Sequence, residues 1–244
     1  MALVKHSWEG VVLKAFGGKD FQVEVTGGRR ITEDYLRVDF TGPELLAAVG
    51  NHPTAWIRVW FPDAGRGHQR AYTLVDQDPA TGAFALEFAL HAGPAADWAR
   101  TASPGDRLDV TVQGSRFRLP EPAPRRVFAI GDAAAVPGLN SLLDSLGGTP
   151  AVVVLERQHE SDGDIPLRLR PQDRLRWVPR EDGGRRLVEE VSQAWNEGED
   201  ALDPEHDFVW IACETASFRA LSRELRSRHR LPRERLDALG YWKA

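Results

Sequence analysis

The sequence has a single cysteine, Cys213, so no intrachain disulfide can form and a Cys-rich zinc site is excluded. It has no uninterrupted apolar run of membrane-spanning length. Its opening stretch, MALVKHSWEG, lacks the apolar core of a secretory signal, so the reading is a cytoplasmic protein without membrane insertion. Positive charge is in deficit: 31 Lys and Arg against 36 Asp and Glu leave a formal net charge of −5. The molecule as a whole has no electrostatic reason to seek nucleic acid or anionic lipid, and any anion site must be local. The 7 histidines are scattered and show no metal-ligand spacing.

What is present is ordinary globular material. The 244 residues are 42% hydrophobic and 27% charged, enough for two domains. The first half alternates. In FQVEVT (21–26), YLRVDF (35–40), AWIRVWF (55–61), FALEFAL (84–90) and LDVTV (108–112), apolar and polar residues take turns. Such period-two segments, broken by Gly and Pro, predict an antiparallel barrel or sandwich. PELLAAV (43–49) predicts a short helix with proline in its first turn.

The pattern changes after the proline-rich LPEPAPRR (119–126). RVFAIGD (126–132), PAVVVLE (150–156) and DFVWIAC (207–213) are short apolar runs, with a weaker strand at RLRWVPR (174–180). Between and after them lie helical periods at 135–146, 185–195 and 217–228. Strands alternating with helices predict a parallel sheet covered on both faces. The expected boundaries are a barrel domain over 1–122 and an α/β domain over 123–244, with a ligand at their junction.

Three stretches carry candidate chemistry. RAYTL (70–74) sets a cation, a phenol and a hydroxyl at the head of an apolar run. HAGPAADWA (91–99) opens a helix after a strand, and its free N–H groups suit a pyrophosphate; taken alone, the stretch reads first as a plain turn with Trp98 packed inward. GDAAAVPGL (131–139) follows an apolar strand, where open parallel sheets bind ligands; a simple cap by Asp132 is the alternative.

Taken in order with QGSRFRLP (113–120), Ala212-x-Glu214 and the terminal GYWKA (240–244), these stretches resemble the siderophore-interacting protein family. These are flavin-dependent ferric-siderophore reductases of the ferredoxin-reductase superfamily. The resemblance covers nearly the whole chain. It implies an antiparallel Greek-key barrel that binds FAD, then a parallel-sheet domain that binds NADH or NADPH. It implies that Arg70 pairs with a flavin phosphate, Tyr72 packs on the isoalloxazine and Thr73 bonds its polar edge. His91, Gly93, Pro94, Ala95 and Trp98 would line the FAD pyrophosphate. Gly131, Asp132, Glu214, Tyr241 and Trp242 would face the nicotinamide. Arg58, Arg116 and Lys243 would receive an anionic ferric siderophore.

The implied reaction passes electrons through flavin to chelated Fe(III) and releases Fe(II). The sequence also departs from the family pattern. Val75 stands where a second arginine is usual, and Ala133 and Ala134 replace an acid and a hydroxyl residue. The loop at His91 is short, and Cys213 replaces a glycine. These departures favour an alternative: a non-catalytic siderophore- or ligand-binding protein on the same fold, with weakened cofactor binding. Glu156 and Arg157, ending a strand, pull in opposite directions on the choice between NADH and NADPH.

Overall fold

The alternating segments of the first half pair into one antiparallel sheet. A computed structural model of the chain describes residues 19–50, 52–63, 66–112 and 117–244. The chain divides into two units, residues 1–116 and 117–244.

The first unit contains β1 (Lys19–Thr32), β2 (Tyr35–Thr41), α1 (Pro43–Val49), β3 (Trp56–Asp63) and β4 (Arg66–Thr73). It continues with β5 (Val75–Asp78), β6 (Ala83–Ala89), α2 (Pro94–Thr101) and β7 (Arg107–Val112). The sheet order is β4-β3-β7-β1-β2-β6-β5. Strands β4 and β5 are opposite edges of this order, yet only Leu74 separates them. The sheet must therefore curl until its edges meet, which is the expected barrel. Alternation decides what faces inward: Val23, Val25, Val38, Phe40, Ile57, Val59, Phe61, Leu86, Phe88 and Val110 form the core. Each such side chain contributes roughly 1.5–3 kcal/mol of burial.

Two aromatic residues on the polar phase are buried as well. Trp60 is 1% exposed because its indole donates to Thr111 Oγ1 at 2.9 Å. Tyr35 is 1% exposed and donates its hydroxyl to Glu87 at 2.9 Å. Alternation marks the phase of a side chain, and a polar handle lets an aromatic ring be covered on the outer phase too.

The second unit contains β8 (Arg126–Asp132), a 3-10 turn (Ala133–Ala135), α3 (Val136–Ser145), β9 (Ala151–Arg157) and β10 (Arg174–Pro179). It ends with α4 (Arg185–Asn196), β11 (Asp207–Glu214), α5 (Thr215–Ser227) and β12 (Leu236–Trp242). All its strand pairs are parallel, in the order β10-β9-β8-β11-β12. β9 and β11 flank β8 on opposite sides, so the strand order reverses there. The ends of β8 and β11 thus form the crevice where such sheets take ligands. Strand β12 is an addition to the expected elements. Its sequence, LDALGYW, lacks a continuous apolar run because it is an edge strand.

Candidate functional site

In the first unit, RAYTL ends a strand and does not begin one. Arg70, Tyr72 and Thr73 are the last residues of β4, pairing across to Val59, Ile57 and Trp56. Arg70 is exposed, and its guanidinium donates at 2.8 Å to the carbonyl of Gln69. It has no acidic partner among the described residues. The Tyr72 ring turns toward the barrel, with its centroid 4.6 Å from Phe88 and 5.7 Å from Phe61. Burial pushes its phenol well above the usual range, and the Arg70 charge pulls it back only in part. Thr73 is buried beside it.

The start of α2 belongs to the same cluster. Gly93 precedes Pro94 with φ +143°, a conformation closed to ordinary side chains. The N–H groups of Ala95 and Ala96 lie in the first turn, where a helix has no internal partner for them. The exposed His91 ring has Nδ1 2.7 Å from the Ala92 carbonyl, beside Gly93. Trp98 packs inward, with centroids 5.6 Å from Phe61 and 6.2 Å from Phe88. Tyr72 and Trp98 therefore meet the same two rings, which brings the end of β4 and the start of α2 together. An unpaired exposed arginine and a glycine-opened helix start are the donors that FAD phosphates require, so this unit fits FAD.

Val75 is 7% exposed and pairs with Ala85. A long cation there would have to leave the sheet, so valine serves packing at this position. Arg58 is half-buried, donates to Gln69 Oε1 at 3.1 Å and lies 5.3 Å over the Trp56 ring. It is a packed cation more than an open one. Arg116 falls outside the described residues.

In the second unit the crevice is lined by acids. Asp132 is 7% exposed and ends β8. One carboxylate oxygen accepts the Ala134 N–H at 2.9 Å, and the other accepts the Trp242 indole N–H at 2.7 Å. Burial pushes this carboxyl up to about 6; the bonds from Trp242 and Ala134 only partly offset it. Glu156, next to last in β9, is 2% exposed and pairs with Arg180. Its other oxygen has no partner among the described residues. Burial raises the Glu156 carboxyl also, with Glu214 adding like-charge repulsion. Glu214 is buried and caps α5, accepting from Ala216 and Ser217 at 3.0 and 3.4 Å.

Strand β12 closes over this cluster. Arg180 lies 4.9 Å from the Trp242 ring centroid, and Thr215 donates to the Trp242 carbonyl at 2.6 Å. Tyr241 lies edge-on to Trp210 at 6.5 Å. Lys243 is exposed. Gly131 is required by packing: a Cβ there would stand 2.7 Å from Ala135 and 3.0 Å from the Ala212 carbonyl. Cys213 is 1% exposed, and burial, then Asp132, Glu156 and Glu214, push its thiol far up. The first turn of this unit thus already carries its own carboxylate, with two more nearby and one arginine already paired. That arrangement does not fit the pyrophosphate of a nicotinamide dinucleotide. Sequence reading missed Arg180; its only signal is a cation directly after a weak strand.

Comparison with known proteins bears on both units. A family described as siderophore-interacting FAD-binding domain matches residues 49–116, and one described as siderophore-interacting protein matches residues 124–244. The chain is similar to the mycobactin import ATP-binding/permease protein IrtA of Mycobacterium tuberculosis. Identity is 34% over 97% of this chain and 27% of that protein. It therefore spans about a quarter of the length of that relative. It is 24% identical to the ferric vibriobactin reductase ViuB of Vibrio cholerae, over 87% of this chain and 85% of that one. Among solved structures, the siderophore-interacting protein SipS from Aeromonas hydrophila superposes with a TM-score of 0.78. The match has 21% identity and covers 93% of this chain and 92% of that chain, which shows the shared fold.

Proposed function

Because the chain belongs to the siderophore-interacting protein family, we propose that it is a flavin-dependent ferric-siderophore reductase with FAD held by its first unit. The observation that supports this is the packing of Tyr72, two residues after Arg70, and of Trp98 in α2 against the same pair of rings, Phe61 and Phe88. Arg70 would fork onto phosphate oxygens. The N–H groups of Ala95 and Ala96 would take the pyrophosphate, with Gly93 allowing close approach and His91 beside it. Tyr72 and Thr73 would meet the ring system, and Trp98 supports Tyr72 from behind through Phe61 and Phe88. Bound FAD supplies the conversion of a two-electron donor's equivalents into single-electron steps.

The substrate in this reading is a chelated Fe(III), which takes one electron and leaves its hard oxygen ligands more readily as Fe(II). The IrtA relative is an import permease by name, so we infer that the chelate arrives beside a membrane and the iron is released on its cytoplasmic face. The cations this reading offers to an anionic chelate are Arg58 and Arg116 in the first unit and Lys243 in the second. The domain limits in this reading remain 1–122 for flavin and 123–244 for the α/β unit.

NADH or NADPH is the reductant that the family resemblance implies. The acidic crevice does not fit its pyrophosphate. This favours a second reading, in which the chain binds flavin or siderophore but has weakened nicotinamide use. The test is the visible spectrum of the purified chain with added FAD. The first reading expects a protein-bound flavin spectrum, bleached by a reductant and restored by a ferric siderophore. Absence of bound flavin in excess FAD would overturn it, and bound flavin inert to both nicotinamides would select the second.

A further inference from the structure

We propose that the exposed face of α5 is a docking surface for an anionic lipid bilayer. Helix α5 buries Leu221 and Leu225 in the core of the second unit. On the far side stand Arg219, Arg223 and Arg226, all exposed. Their spacing of i, i+4 and i+7 puts them on one line of the helix surface. Arg230, also exposed, follows the helix end. None of the four has an ion pair or a side-chain hydrogen bond among the described residues.

Several other arginines of this unit are paired. On α4, Arg185 pairs with Asp182 and Glu189, and Arg186 pairs with Glu181 and Glu190. On β10, Arg174 pairs with Glu199 and Asp200. The one acid within α5, Glu224, is turned away from the row: it accepts from Ser192 and Asn196 of α4. A chain with net charge −5 thus keeps, among the described residues, a row of three aligned cations on α5 with no acidic partner.

The shape of the row decides the occupant. A protein partner is usually gripped through a buried apolar or aromatic anchor. The exposed large hydrophobic residues among those described are Leu169 and Leu239, and neither lies on α5. The surface is a line of charge without an anchor. That suits a fluid sheet of anionic headgroups, which asks for charge and no shape. The apolar side of α5 is already used, so the contact is electrostatic and peripheral, with no insertion.

The experiment is flotation of the intact chain with vesicles of phosphatidylcholine, with and without phosphatidylglycerol. Binding to the anionic vesicles alone, weakened by added salt, is expected. The triple variant Arg219→Gln/Arg223→Gln/Arg226→Gln should bind about a hundredfold more weakly, at about fivefold per cation. The variant Arg185→Gln/Arg186→Gln, which removes paired charges, should bind as the unaltered chain does. Circular dichroism confirms that each variant is folded. Equal binding to neutral vesicles, or undiminished binding by the triple variant, would overturn the proposal. Binding is read without flavin or substrate, so failure of the reductase reading leaves this test intact.

Discussion

The indole N–H of Trp242 donates to the Asp132 carboxylate at 2.7 Å, tying the last strand of the parallel sheet to the end of its first. Asp132 is buried, and its folded value of about 6 lies above its ordinary 3.8. The folded state therefore holds this proton more tightly than the unfolded chain does. The stability so lent is complete below about pH 4 and is lost as pH rises through about 6.

Trp242→Phe keeps the ring under Arg180 and removes the hydrogen bond. That bond favours the ionised carboxylate, so its loss pushes Asp132 higher still. The variant should lose about 1.5–3 kcal/mol near pH 8 and clearly less near pH 5. Urea unfolding at the two pH values measures this. An equal loss at both would mean that Asp132 does not titrate against the indole.

Arg70→Gln tests the flavin contact. The guanidinium is exposed and, among the described residues, bonds only to the Gln69 carbonyl, so removing it should leave the fold intact. A charge-assisted bond to phosphate is worth about 1.5–3 kcal/mol, or roughly 10- to 150-fold in Kd. Fluorescence titration with FAD should show that weakening at unchanged melting temperature. An unchanged Kd would remove Arg70 from the site.

The barrel and the parallel sheet were legible because both rest on hydrophobic period. Val23 and Val25, or Phe84, Leu86 and Phe88, announce their face by alternation alone. Strand β12 was not legible, since an edge strand carrying Asp237 and Gly240 has no such period. The site was legible only as short motifs. RAYTL gives residue types but not the strand end on which they sit, because β4 begins in the turn-like RGHQ. The pairing of Arg180 with Glu156, or of Trp242 with Asp132, joins residues 24 and 110 positions apart. Contacts of that range depend on strand order, which local pattern does not encode.

Glu156→Gln tests whether acid in the crevice limits nicotinamide use. Glutamine can still accept from Arg180, so the local structure is retained while one negative charge is removed. Arg180 then carries an uncompensated charge toward the crevice. The KM for NADH and NADPH in reducing bound flavin should fall about fivefold or more, with kcat little changed, since the gain is in binding. Steady-state kinetics on the flavin-loaded chain measure it. An unchanged KM would place the dinucleotide away from β9.

Cys213 provides the last test. It follows Ala212 at the crevice, where a cysteine invites a redox role. Reactivity requires thiolate and access. The side chain is 1% exposed, and burial, with three carboxylates nearby, holds the thiol protonated at neutral pH. A disulfide reagent should therefore release no thiol signal from the native chain within minutes and one equivalent after denaturation. Cys213→Ala should leave electron transfer to a ferric chelate unchanged and lower stability by about 1–2 kcal/mol through the small void it leaves. Rapid native labelling, or loss of turnover in the folded variant, would mean that the end of β11 opens in solution. The acidic crevice would then have to be treated as a mobile site.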